Sequence, residues 1–450
     1  MTMSPVTERA RSAEVAGGGP QLPHWRLMLS AFDGRPLLIS RPQSNQYGHL
    51  ALEIHLTLGY ALEYGADVYF VRDRDAVSGA LYEVDTRAVR ILRPTPARHA
   101  RFGARLLAEE WKRRRAEWRR QLTITTYQTT RDALADYCID PDVPPALQQR
   151  IREIRRGLES RRPRAEDKEL GVTAYVERTR MREPIETFIH ADIAPVAKAQ
   201  AAAIGVSEGM KLVCVHAREG GYKRGRETQD HPLKMRHDST RNARIETYFE
   251  AIDHLIARGY MVVRVGDPSM EPVRRPGVID LATHERRSPL AELYCMLHSD
   301  FLICGESGPL SVAYLTNTPV VTVNGTDPIG GYPIRADGFS ILKGVLDRFS
   351  GRRLSLRELF EEEHLDNLRN TKRFVYVDNT PEEIVQLVDE MLEWLGGRHV
   401  ETERQAAYRA MATETSVAVR DRQVYVRKHG PDRGFLGDGR IGREYVEQYY

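Results

Sequence analysis

The sequence predicts an α/β protein with two Rossmann-like, doubly wound domains. Three observations lead there. The chain has 450 residues, more than one hydrophobic core usually serves. Short apolar runs of strand type alternate with amphipathic stretches of helix type along most of it. Several of those runs end in a glycine-containing loop that feeds directly into a helical pattern, as Phe301-Leu-Ile-Cys304 does into Gly305. The expected division is a disordered tail over 1–24, an N-terminal domain over 25–200, a C-terminal domain over 201–400 and an extension over 401–450. That extension is basic, glycine-rich and aromatic from Tyr408 on, and is expected to cross back toward the N-terminal domain.

In order, residues 36–40 form an apolar run, and Gly48-His49 opens an amphipathic stretch reaching Tyr64. Residues 66–71 and 89–92 read as the next strands. From 101 to 120 an arginine-rich stretch carries Leu106, Leu107, Trp111 and Trp118 at helical spacing; Glu109, Glu110 and Glu117 dilute its charge, so a solvated face over a buried stripe is expected. Residues 157–168 look like a polar surface excursion, and 184–203 resumes a helical pattern. Beyond it come strand 212–215, a loop to Asn242, helix 245–258, strand 261–265, strand 278–281, helix 289–298, strand 301–304, helix 309–316, strand 319–323 and helix 381–394.

Composition removes several classes of function. Lys and Arg number 66 against 63 Asp and Glu, a net charge of +3, so no global field grips nucleic acid and any anion site is local. The four cysteines, Cys138, Cys214, Cys295 and Cys304, include no CxxC pair, which argues against a disulfide framework or structural zinc. No apolar run is long enough to span a membrane, and residues 1–20 lack the apolar core of a signal peptide. A cytoplasmic protein with at most peripheral membrane contact is expected.

The chemistry concentrates at strand ends. Gly305-Glu306-Ser307-Gly308-Pro309 lies between a strand and a helix; glycines admit close backbone approach, and a helix N-terminus presents unpaired amides and partial positive charge to an anion. The same letters also suit a plain helix start capped by Ser307. His216-Ala217-Arg218 ends the strand that opens the C-terminal domain, at the sheet edge where ligands bind. Arg218 offers a permanently charged fork for phosphate oxygens. Arg241 is a candidate substrate clamp and Asn242 a candidate helix cap, while Gly266-Asp267 follows the next strand as a nucleotide contact or a simple turn. The segment 222–244 is locally basic; His231, His237 and Asp238 do not have metal-ligand spacing, and no essential metal is expected. In the N-terminal domain His49, with Glu53 four residues on, could deprotonate a hydroxyl group.

Taken together, these elements resemble a bacterial glycosyltransferase family associated with surface-polysaccharide and secondary-metabolite pathways, over residues 40–390. The His216-Ala-Arg218 element is similar to the His-x-Arg motif of GDP-fucose fucosyltransferases, and Glu306-Ser-Gly-Pro309 to the Asp-x-Gly-Pro element of ADP-heptose heptosyltransferases. The resemblance implies a GT-B fold, with two Rossmann-like doubly wound domains facing across a cleft. It implies a nucleoside-diphosphate sugar as co-substrate with no further cofactor, a small or carrier-linked acceptor, and metal-independent inversion. It makes Arg218, His49 and Glu53 catalytic candidates. It makes His216, Arg241, Asn242, Gly266, Asp267, Gly305, Glu306, Ser307 and Gly308 donor-binding candidates. Glu306 departs from the heptosyltransferase aspartate, and one arginine follows His216 where fucosyltransferases commonly have two, so donor identity does not carry over. A nucleotide-sugar epimerase of the same fold and a non-catalytic sugar-nucleotide-binding subunit are the alternatives.

Overall fold

The computed structural model describes residues 27–73, 76–98, 100–106, 184–220, 239–419 and 437–450, together with 108, 149 and 153. The N-terminal tail, the arginine-rich stretch beyond 108, the excursion at 157–168, the basic loop residues 221–238 with His231, His237 and Asp238, and residues 420–436 lie outside the described residues.

The chain opens with an antiparallel hairpin, β1 (Leu27–Phe32) and β2 (Arg35–Ser40). Asp33 and Gly34 both have positive φ, 51° and 73°, the two-residue turn that an Asp-Gly pair between apolar runs favours. β2 leads into α1 (Tyr47–Tyr64), which ends at Gly65 in the left-handed conformation, and β3 (Asp67–Phe70) pairs parallel with β2. The expected strand at 89–92 is reduced to one parallel bridge between Ile91 and Val68. Leu37, Ile39, Tyr69, Phe102 and Leu106 form a buried cluster on this sheet. Arg101 and Arg105 are exposed beside them, so this part of the arginine-rich stretch presents its charges to solvent.

A pair of two-residue strands, β4 (Val84–Asp85) and β5 (Phe188–Ile189), precedes α2 (Ala194–Ala203). Then come β6 (Leu212–His216), α3 (Phe249–Ala257) after a 3-10 turn at Ile245–Tyr248, β7 (Met261–Arg264) and β8 (Val278–Asp280). They are followed by α4 (Pro289–His298), β9 (Phe301–Cys304), α5 (Gly308–Leu315), β10 (Val320–Gly325) and β11 (Gly338–Leu342). β12 (Gly344–Asp347) and β13 (Phe374–Val377) make a small antiparallel pair flanking α6 (Glu362–Asp366). The chain closes with α7 (Pro381–Leu395), α8 (Glu403–Val419), β14 (Arg440–Ile441) and α9 (Arg443–Tyr449).

The main sheet has seven strands in the order β14-β11-β10-β9-β6-β7-β8. β6 pairs parallel with both β7 and β9, β7 with β8, and β11 with β14. Numbered from β6, the six strands from β8 to β11 follow the order 3-2-1-4-5-6 of a doubly wound Rossmann sheet. The strand order reverses between β6 and β9, the kind of point at which doubly wound sheets generally bind ligands. Burial of β6 and β9 explains the apolar runs at 212–215 and 301–304.

Two compact units are present. The first takes its described residues from Met1–Arg114, Gly171–His216 and Ile252–Val320, the second from Arg115–Leu170, Ala217–Ala251 and Val321–Tyr450. The C-terminal residues belong to the second unit: β14 lies beside β11, and the Leu356 amide donates to the Tyr449 carbonyl. Among the described residues no helix is long and apolar enough to cross a membrane.

Candidate functional site

The sequence places two glycine-led helix starts at strand ends, and the first unit brings them into contact. Gly48 is the second residue of α1 and Gly308 the first of α5. A Cβ built on Gly48 would stand 2.8 Å from the Gly308 Cα, and one built on Gly308 would stand 3.1 Å from the Gly48 backbone nitrogen. Both positions therefore need glycine for closeness of approach. Neither helix has a side-chain cap: Gln46 makes no capping bond at α1, and Ser307 makes none at α5. The Ser307 hydroxyl donates instead to the Gly305 carbonyl at 3.3 Å. The plain capping role considered for Ser307 is thus not the bond it makes; in the first turns the Leu50 amide donates to the Gln46 carbonyl at 2.9 Å and the Leu310 amide to the Ser307 carbonyl at 3.2 Å.

The contact lies at the point where the strand order reverses. In the β6–β9 register His216 pairs with Cys304, so Gly305 and Glu306 leave the sheet beside the end of β6. His216 is buried, with its Nδ1 3.0 Å from the Val265 carbonyl. Gly266 has φ 153°, and a Cβ there would meet Met270 Sδ at 2.4 Å and His216 Nδ1 at 3.2 Å, so this turn also requires glycine. The Asp267 carboxylate accepts from the Ser269 amide at 3.0 Å and its carbonyl from Met270 at 3.1 Å, the turn role. Glu306 is buried.

His49 follows Gly48 in the first turn of α1 and is half-buried. Glu53, one turn further, is buried, and its Oε2 accepts from the Gln43 amide at 2.7 Å. That bond fixes the loop entering α1.

The second unit holds Arg218, Arg241 and Asn242. Arg218 Nη1 donates to Asn242 Oδ1, and the Ala243 amide donates to the Arg218 carbonyl at 3.0 Å. Asn242 therefore orients the guanidinium and does not cap the next helix, whose cap position is Arg244. Buried Lys343 holds the same segment: its Nζ donates to the Asn242 carbonyl at 2.5 Å and to Asp378 at 2.7 Å, while the Arg244 amide donates to the other Asp378 oxygen at 3.1 Å. Arg241 is half-buried.

Sequence reasoning did not single out Tyr47, Arg287, Glu292 or Lys343. Glu292 is buried on α4, hydrogen-bonded to the Tyr47 phenol and 3.5 Å from Arg287, which also donates to the Gly266 carbonyl at 3.1 Å. Burial pushes the Glu292 carboxyl up, against the pull of Arg287 and the Tyr47 hydrogen bond; burial and Glu292 together push the Tyr47 phenol well up. The available signal was a lone acid within an apolar helix. Lys343 gives no such signal, because its partners lie 101 and 35 residues away.

No group of side chains among the described residues has the makings of a metal centre. Two adjoining helix N-termini place partial positive charge at the end of a parallel sheet, which suits a phosphate-bearing ligand.

No family model and no curated protein matches the chain. Among solved structures it is similar to a glycosyl transferase family 9 protein from Veillonella parvula DSM 2008, with 16% identity over 46% of this chain and a TM-score of 0.31. The match spans 53% of that protein, about half its length. It is also similar to the E. coli ADP-heptose lps heptosyltransferase II, with 13% identity over 80% of this chain and 98% of the other, at a TM-score of 0.37. Likeness at this level assigns the chain to no family.

Proposed function

We propose that this chain is a glycosyltransferase of the GT-B kind, which binds the diphosphate of a nucleoside-diphosphate sugar where the strand order reverses between β6 and β9. One observation carries the reading: two helix N-termini without side-chain caps meet at Gly48 and Gly308, beside the end of β6. Each terminus contributes a partial positive charge, and their closeness favours a multiply charged anion over a neutral ligand. The motif resemblance around His216-Ala-Arg218 and Glu306-Ser-Gly-Pro309 selects a sugar nucleotide among phosphate ligands.

In this reading an acceptor oxygen attacks the anomeric carbon, the bond from that carbon to the diphosphate oxygen breaks, and the nucleoside diphosphate departs with the bonding pair. The hydroxyl proton passes to a base. His49, next to the Gly48 contact, is the first candidate and Glu53 the second, since the Glu53 carboxylate already serves the Gln43 amide. Arg218, two residues beyond β6 and oriented by Asn242, neutralises charge developing on the leaving group. The reaction proceeds without metal and with inversion, in the cytoplasm, and supplies a surface glycan or a secondary metabolite.

The test is to titrate the protein in chelator with UDP, GDP, ADP, CDP and dTDP and follow its thermal midpoint, which selective binding raises by mass action. One diphosphate is expected to raise it. Arg218→Ala is expected to lower turnover with the matching sugar nucleotide by about 2 to 4 kcal/mol of transition-state stabilisation. No rise with any diphosphate contradicts the donor site, and binding without transfer to any hydroxyl acceptor supports a non-catalytic subunit.

A further inference from the structure

Glu292 takes no part in the proposed chemistry, yet it links the start of α1 to the turn after β7. In α4 residues 291–296 are all buried, and Glu292 is the one acid among them. Taking a carboxylate out of water is costly unless its partners are well placed, so its retention calls for a role. One partner, the Tyr47 phenol, belongs to the first residue of α1 and lies against α5: a Cβ on Gly308 would stand 3.4 Å from Tyr47 Cδ1. The other, Arg287, donates to the Gly266 carbonyl at the end of β7.

We propose that Glu292 is a positioning residue that fixes the N-terminus of α1 through Tyr47 and the Gly266 turn through Arg287, so that the crevice is preorganised before ligand arrives. The effect on ligand rests on the donor-site reading; the effect on the loops does not. The groups facing this carboxylate are Tyr47 from α1, Arg287 from the approach to α4, and Asp267 from the β7 turn, whose charge opposes ionisation. With its carboxyl raised, Glu292 favours the folded state below the unfolded carboxylate range, and that contribution is lost as pH rises through its folded value. Above the unfolded carboxylate range, burial of this group is therefore a cost to global stability that a positioning role retains.

The experiment compares wild type, Glu292→Gln and Tyr47→Phe without ligand by amide hydrogen exchange at pH 7, with thermal midpoints recorded at pH 5 and pH 8. Glu292→Gln is expected to speed exchange at 266–270 about tenfold, as Arg287 loses the ion-pair partner that holds it against the Gly266 carbonyl, with a midpoint equal to or above wild type at pH 8. Tyr47→Phe is expected to speed exchange in the first turn of α1, where the Leu50 amide bonds the Gln46 carbonyl, and to leave 266–270 at the wild-type rate. Unchanged exchange at 266–270 in Glu292→Gln, or a midpoint that drops at pH 8, overturns the proposal. Affinity for the diphosphate that stabilises wild type is expected to fall about tenfold in both variants. If wild type binds no diphosphate, the donor-site reading fails while the exchange rates still decide the role of Glu292.

Discussion

At the scale of single residues, space as much as charge sets the candidate site. Gly48 and Gly308 are needed because each fills the room a Cβ would take from the other's backbone. Backbone cannot swing aside as a long side chain can. Gly48→Ala is therefore expected to destabilise the fold by about 1 to 3 kcal/mol, the usual cost of overpacking, and to weaken diphosphate binding, checked by denaturant unfolding and calorimetric titration. A variant with wild-type stability and affinity would show that the two helix starts do not depend on close contact. Both glycines were legible in the sequence, because glycine at a strand-to-helix junction has few other reasons to be there. The part of Asn242 was not: a residue placed to cap a helix instead accepts from Arg218, a choice made by tertiary contacts that local pattern does not record.

At the scale of elements, helices and strands with clear start signals were legible. The Thr380-Pro-Glu-Glu383 start of α7 is one: the Thr380 hydroxyl accepts from the Glu383 amide at 3.2 Å and the Glu383 carboxylate from the Thr380 amide at 3.0 Å. The same carboxylate accepts from the Tyr449 hydroxyl at 2.9 Å, so the cap also anchors α9. Thr380→Ala is expected to cost about 1 kcal/mol, measured as a shift of the denaturant midpoint at constant slope; no shift would mean that packing alone holds the helix start. Elements that depend on distant partners were missed. β14 has two residues and exists because β11 offers it an edge. The strand expected at 89–92 has the apolar content but pairs at a single bridge. The hairpin of β1 and β2 was overlooked although Asp33-Gly34 announces it.

At the scale of the whole molecule, the alternation of short strands and helices was enough to give the α/β class, and the strand order adds the point of reversal between β6 and β9, which spacing alone does not record. Acid response belongs to this scale. Burial pushes the Asp347 carboxyl up, but Arg373 and the Ser350 and Phe349 amides outweigh it and hold the group at about 2. Arg352 likewise holds Glu358 at about 2. A lowered folded value means stability that is present above the unfolded carboxylate range and lost as pH falls through about 2. Asp347→Asn is expected to lose about 1.5 to 3 kcal/mol at pH 7, with the difference from wild type shrinking below pH 4 in denaturant titrations; a constant difference down to pH 2 would remove Asp347 from the account. The central claim is the location of the diphosphate, and a crystal structure with the stabilising nucleoside diphosphate tests it most directly. Phosphate oxygens are expected within hydrogen-bonding distance of the Ser307 and Gly308 amides beside Gly48; a diphosphate bound away from the ends of β6 and β9 would contradict the proposed donor site.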